Sequence, residues 1–305
     1  MLSTCLRPGF RPGLQLARIM ECGLYPTVVA CCAAGTGPQV IQTLSKTDDV
    51  RGVTLINNEL YVLRDRQNDQ IDVYSTSDFT LLRRLSLPRL INTSFTDMAS
   101  CGRKQCVYMS ESHKPCIHRL GLDGSVSRWP MRSIPWGLAV TRTCNLLVTC
   151  SDEDGGGKLV ELSSDDGSYV REVRLQADIH APWHAVLLDV GQYVVVHGHL
   201  PDNSRITRVS DDGRILQSNV GDSGLYEPRH LAVDNHGFVF VADSWNNRIS
   251  LFDPSLNYVR DVVSGMPDRP QYLCFHEVLQ RLYVGHSGRT VVVVHLDSGQ
   301  SETRL

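Results

Sequence analysis

The sequence predicts an all-β chain, a six-bladed β-propeller of four-stranded antiparallel blades closed into a ring by an N-terminal strand. Two periodic markers and a repeated turn pattern carry that prediction. Six apolar triplets recur: Tyr61-Val62-Leu63, Val107-Tyr108-Met109, Leu147-Val148-Thr149, Val194-Val195-Val196, Phe240-Val241-Ala242 and Tyr283-Val284-Gly285. Their centres lie 46, 40, 47, 46 and 43 positions apart. Roughly ten residues after each triplet a second apolar run begins, at Ile71, Ile117, Leu159, Ile206, Ile249 and Val292. Turn signals sit between the last two strands of several periods: Leu122-Asp123-Gly124, Asp165-Asp166-Gly167 and Asp211-Asp212-Gly213. No stretch holds an apolar period of 3.6, so helix is nearly absent.

Each period supplies a leading strand, such as Gly137-Leu138-Ala139-Val140 or His230-Leu231-Ala232-Val233. Each also supplies a trailing strand of alternating character, such as Val170-Arg171-Glu172-Val173-Arg174-Leu175, which fits a blade's outermost position. Four strands in roughly 40–45 residues is a propeller unit. Ring closure hides the sheet edges that separate hairpins would expose. Val40-Ile41-Gln42-Thr43-Leu44 reads as a trailing strand with no leading strands before it, and so completes the final blade. The blades are placed at about 47–90, 91–132, 133–176, 177–222, 223–266 and 267–305, with the closing strand at 38–46 and a disordered leader at 1–37.

Composition narrows the function classes. The chain has 305 residues, 42% hydrophobic and 21% charged, with a net charge of −3. No global positive field draws it to nucleic acid or anionic membrane. Apolar runs such as Val291-Val292-Val293-Val294 are strand-sized, far below the roughly 18 residues of a membrane helix. None of the ten cysteines forms a CxxC pair, and several sit in apolar strands, as free thiols do in a reducing compartment. The expected location is cytoplasmic. Arg7, Arg11 and Arg18 before an apolar patch at Val28 to Ala34 leave secretion as the alternative.

The fifth period contains Glu227-Pro228-Arg229-His230-Leu231-Ala232-Val233-Asp234, then Gly237, Val241-Ala242-Asp243 and Asn246-Asn247-Arg248-Ile249. This run resembles the NHL repeat: Pro, two variable residues, an aliphatic-Ala-Val-Asp strand, Gly, a Val-Ala-Asp strand and an Asn-x-Arg-Ile turn. The third and sixth periods keep fragments of it, in Pro135-Trp136-Gly137-Leu138-Ala139-Val140 and Pro270-Gln271-Tyr272-Leu273. The resemblance implies relatives such as the NHL modules of tripartite-motif proteins, which recognise RNA or protein, often beside a ubiquitin-ligase RING. The present sequence contains no RING, B-box or coiled coil, so the ligase activity does not transfer.

The amidating-lyase domain is another similar six-bladed family, with metal-binding His just after the blade-opening Pro. Those positions here are Trp136, Trp183, Arg229 and Gln271, none of which replaces an imidazole on zinc. His197 and His199, two apart on a strand, are weak metal candidates; the plainer reading is hydrogen bonding at a strand end. Gly221-Asp222-Ser223-Gly224 mimics a protease nucleophile loop by chance. Asp152 to Lys158 mimics parts of a calcium loop and a phosphate loop but lacks their distal ligands. Asp243 and Arg248 flank a tight turn and are read as its cap and brace.

The loops leading into the innermost strands ring one mouth of a propeller's channel. Aligning the six places Arg51, Thr96, Trp136, Trp183, Arg229 and Gln271 at one position, followed by Gly52, Asp97, Gly137, His184, His230 and Tyr272. Trp and Arg are enriched at binding hot spots and also stack on single-stranded bases. The competing reading makes the Trp side chains wedges between blades. The predicted partner-binding set is Arg51, Trp136, Trp183, His184, Arg229, His230, Gln271 and Tyr272. The expected function is a monomeric, non-catalytic scaffold for a protein or peptide partner, with no cofactor. Single-stranded RNA binding on the same face is the second hypothesis, and a metal-dependent lyase or hydrolase the third.

Overall fold

Strand follows strand without a helix among the described residues, because the apolar residues alternate or run in short bursts rather than at helical spacing. A computed structural model describes residues 37–296, apart from 47, 66–69, 88–94, 152–155, 190 and 220–223. The leader, most of the protease-like tetrapeptide and the calcium-like acidic turn lie outside those residues. No helix in the described part is long and apolar enough to cross a membrane.

A single strand, β1 (Gln39–Ser45), precedes the first complete blade, formed by β2 (Asp49–Ile56), β3 (Glu59–Asp65), β4 (Gln70–Ser75) and β5 (Leu81–Ser86). The second blade holds β6 (Phe95–Cys101), β7 (Cys106–Glu111), β8 (Cys116–Gly121) and β9 (Val126–Pro130). The third holds β10 (Ile134–Val140), β11 (Leu146–Ser151), β12 (Gly157–Leu162) and β13 (Tyr169–Arg174). The fourth is β14 (Pro182–Asp189), β15 (Gln192–His197), β16 (Arg205–Ser210) and β17 (Ile215–Ser218). The fifth is β18 (Pro228–Val233), β19 (Val239–Asp243), β20 (Arg248–Phe252) and β21 (Tyr258–Val263). The sixth takes β22 (Pro270–His276), β23 (Arg281–His286) and β24 (Thr290–His295), with β1 as its outer strand.

The chain is thus a six-bladed, all-antiparallel β-propeller whose ring is closed by its N-terminal strand. Six positions of β1 pair with β24, from Gln39 opposite His295 to Ser45 opposite Thr290. The seam between first and last blades is tied a second time by Arg64. Its fully buried guanidinium donates to the carbonyls of Arg289 at 2.9 Å and Asp48 at 3.1 Å, and faces Asp72 Oδ2 at 3.4 Å.

Burial follows strand rank within each blade. The second strands β7 and β19 are buried along their whole length, since neighbouring blades cover both faces. The outer strand β5 is exposed almost throughout, with Leu81 at 37% and Leu82 at 48%. The alternation of the trailing strands predicts one covered face; blades fan apart at the rim, so β5 loses even that cover.

The Asp-Gly turns form as the sequence requires. Asp166 Oδ1 accepts the Ser168 N–H at 3.0 Å while Gly167 takes φ +72°. Six cysteines lie in the described region, and all are free thiols; five are buried and Cys274 is half-buried.

Candidate functional site

Antiparallel pairing decides which loops share a face. The start of each innermost strand is opposite the end of the second: Pro182 pairs with His197, Pro228 with Asp243, and Pro270 with His286. The leading loop and the turn after the second strand therefore border the same end of the channel. Asp243 and Arg248 hold that turn in the fifth blade. Asp243 Oδ1 accepts the Tyr226 N–H at 2.8 Å, and its Oδ2 takes Asn246 at 2.8 Å and Arg248 Nε at 2.6 Å. Both residues act as cap and brace.

Every innermost strand carries a register shift near its start: Val50/Gly52, Phe95/Asp97, Pro135/Leu138, Pro182/His184, Pro228/Leu231 and Pro270/Tyr272. The shift frees a backbone N–H, and a buried donor needs an acceptor. In three places a channel side chain of an earlier blade supplies it. Asp97 Oδ2 accepts from Leu138 N at 2.8 Å, His184 Nδ1 from Leu231 N at 3.4 Å, and His230 Nδ1 faces Leu273 N at 3.4 Å. Gly137 stands at the same position in the third blade because the fourth lies against it. A Cβ there would fall 2.4 Å from the Trp183 carbonyl oxygen.

These contacts separate the aligned residues into two levels. Arg51, Trp136, Trp183, Arg229 and Gln271 are half-buried and line a cavity of about 190 Å³ at the mouth, with the buried His230 and Tyr272 in its wall. His184 departs from the expected rim position. It lies deeper, 2% exposed, on a second cavity of the channel that it shares with His230. His184 Nε2 donates to the Leu138 carbonyl at 2.9 Å, so both ring nitrogens serve backbone. Burial first, then the neighbouring His230, pushes its pKa down to about 3, against the opposing pull of Asp97. It is a neutral brace across three blades.

Asp97, His184 and His230 lie close enough to suggest a cation site, with His230 Nε2 at 3.3 Å from Asp97 Oδ2. The geometry argues for hydrogen bonding instead. The two imidazoles stack at 3.7 Å with a 24° interplanar angle, and His184 already spends both ring nitrogens on backbone groups, which leaves it no lone pair for an ion. His197 and His199 also part company. β15 ends at His197, which is buried and meets Thr207 Oγ1 at 2.9 Å, and the chain turns at Gly198 with φ +91°. His199 emerges half-exposed, with its Nδ1 3.7 Å from Glu227 and its ring edge-on to Trp183 at 5.0 Å. The two side chains do not share a strand, which leaves hydrogen bonding at the strand end, the plainer reading, for His197.

The mouth is an aromatic and cationic cluster. Arg229 lies over the Trp183 ring at 3.6 Å and is paired with Glu227, which offsets part of the cost of its burial. Trp183 meets Trp136 edge-on at 5.4 Å, and Trp136 Nε1 donates to Ser151 Oγ at 2.8 Å. Trp183 also packs on the core between blades, so it is both wedge and lining. Behind the two Trp rings, Ala181, Pro182 and His199 complete a side notch of about 240 Å³.

A second stack escapes sequence alignment of the leading loops. Arg269 lies 3.3 Å over Trp245, which stacks on Tyr226 at 5.3 Å and remains 42% exposed. Trp245 belongs to the Asp-Ser-Trp-Asn-Asn turn, and the only clue in the sequence was a large aromatic in a turn.

The comparisons agree with this architecture. A profile of the NHL repeat matches residues 225–252. A search of curated proteins returns no match. Among solved structures, a catalytically inactive virginiamycin B lyase from Staphylococcus aureus with quinupristin superposes with a TM-score of 0.62 at 11% identity, over 85% of this chain and 100% of that one. A streptogramin B lyase structure gives 0.61 at 12% identity, over 85% and 97%. A nidogen/laminin complex gives 0.60 at 14% identity, over 75% and 85%. At such identities these likenesses show the fold alone. The chain is therefore a six-bladed β-propeller of four-stranded blades that carries an NHL repeat at residues 225–252.

Proposed function

We propose that the chain is a non-catalytic recognition module that binds a protein or peptide partner at the channel mouth. The observation that carries this reading is the mouth cavity and its side notch meeting at Trp136 and Trp183, with Arg51, Arg229 and Gln271 around them. An apolar or aromatic partner side chain fits the notch, and a carboxylate or carbonyl suits the Arg and Gln side chains. The reading is similar to the substrate-recognition role of tripartite-motif relatives. His184, deeper in the channel, has both ring nitrogens engaged by backbone groups, which supports a bracing role over chemistry for that residue. Free thiols support a reducing, cytoplasmic setting.

Affinity capture with the full chain, read by mass spectrometry and by RNA sequencing, tests the proposal. Arg51→Glu combined with Arg229→Gln is expected to lower capture of specific protein partners at least about tenfold, a loss of about 1.4 kcal/mol, measured on folded protein because Arg229 also pairs with the buried Glu227. Unchanged capture contradicts the proposal. Salt-sensitive recovery of RNA in place of protein transfers the face to the single-stranded RNA reading.

A further inference from the structure

The hairpin joining β7 to β8 carries chemistry that the channel mouth does not use. Glu111 closes β7 and Cys116 opens β8, and the two are directly opposed in the antiparallel register. His118 lies two residues beyond Cys116 and so shares its face of the strand. Three unlike donors thereby meet inside the second blade. Glu111 and His118 each have side chains 2% exposed, and Cys116 is 1% exposed.

Their reactive atoms form a nearly equilateral triangle. His118 Nε2 lies 2.8 Å from Glu111 Oε2, Cys116 Sγ lies 3.2 Å from the same oxygen, and Sγ to Nε2 is 3.1 Å. Unlike the stacked imidazoles of the channel, these three atoms point at one another. We propose that Glu111, Cys116 and His118 form a zinc site that pins β7 to β8.

The donor set and the dimensions both suit that ion. Thiolate, imidazole and carboxylate together are borderline-soft ligands of the kind zinc prefers. With bonds of about 2.0–2.3 Å, a zinc ion seated roughly 1 Å above the triangle touches all three atoms. Spreading the triangle by about 0.5 Å on each side brings the angles to tetrahedral values. Arg128 completes the surroundings from β9. Its Nε donates to Sγ at 3.1 Å, the kind of outer bond that stabilises a metal-bound thiolate.

The site abuts the mouth through one contact. His118 packs edge-on against Phe95 at 5.6 Å, and Phe95 lines the mouth cavity. A bound ion would stiffen that wall, but the metal site stands on its own geometry whatever the mouth binds.

The test uses the full chain, stripped with a chelator and titrated with cobalt(II), then with zinc. Wild type is expected to take up one equivalent of cobalt, show a thiolate-to-cobalt charge-transfer band, and lose it when zinc displaces the cobalt. Cys116→Ser should abolish the band and His118→Gln should weaken binding by more than the roughly 10–100-fold lost with an outer-shell partner. Cys150→Ser, which removes another buried thiol, should change neither. Wild type that binds no cobalt or zinc overturns the proposal, whether or not the variants fold. So does a charge-transfer band that survives Cys116→Ser or disappears with Cys150→Ser.

Discussion

Deleting residues 38–46 is expected to abolish the cooperative unfolding transition. β1 contributes six paired positions against β24 and buries Leu44 in the core shared by the first and last blades. At about 1 kcal/mol for each backbone hydrogen bond, the loss is about 5 kcal/mol before any apolar term. For a chain of this size that corresponds to a fall in melting temperature of about 10–20 °C. The larger consequence is topological. Without β1 the paired edge of β24 is left open, and the ring is joined at this seam by the packing of β2 against β22 and β23 and by the Arg64 bonds to Asp48 and Arg289. Differential scanning calorimetry checks it: a single transition at the wild-type temperature would contradict closure by β1.

Stability is expected to fall steeply as pH drops from 7 to 5. Burial lowers His184 to about 3, and His197 and His286 to about 4, from an ordinary 6.5. Below pH 6.5 the unfolded chain takes up a proton at each site while the folded chain does not, so unfolding is favoured as acid is added. The stabilisation is fully present above pH 6.5 and is lost progressively toward the folded values near 3 to 4. At pH 5 each histidine costs about 2 kcal/mol relative to neutral pH. Urea melts at pH 7.5 and 5.0 measure the total, and His286→Leu should remove about a third of the difference. Equal midpoints at the two pH values would show that these rings are solvated in the folded state.

The fold was legible because two spacings repeat six times, and because a repeat unit that cannot bury its faces alone must stack. Closure was legible in Val40 to Leu44 for the same reason: a lone trailing strand needs a sheet to join. The mouth was legible in part. Aligning the leading loops brought Arg51, Trp136, Trp183, Arg229 and Gln271 to one cavity, since equivalent positions of equivalent blades meet around a common axis.

What escaped depends on contacts across blades. His184 differs from Trp183 by one position, yet the register shift sends it inward to serve the Leu231 N–H. Gly198 carries His199 away from His197, and its φ of +91° is invisible to strand periodicity. Glu111, Cys116 and His118 lie within eight residues of one another. Their convergence becomes readable only when the hairpin register is known. Trp245 and Arg269 come from different blades, so no local pattern joins them.

Hydrogen exchange on the chain bound to a captured partner tests most directly whether the channel mouth is the recognition surface. Partner binding should slow amide exchange in residues 134–137, 181–184, 226–231 and 269–272 while the outer strands β5 and β13 exchange as before. Protection confined to those outer strands, or to the opposite end of the channel, would contradict recognition through the mouth.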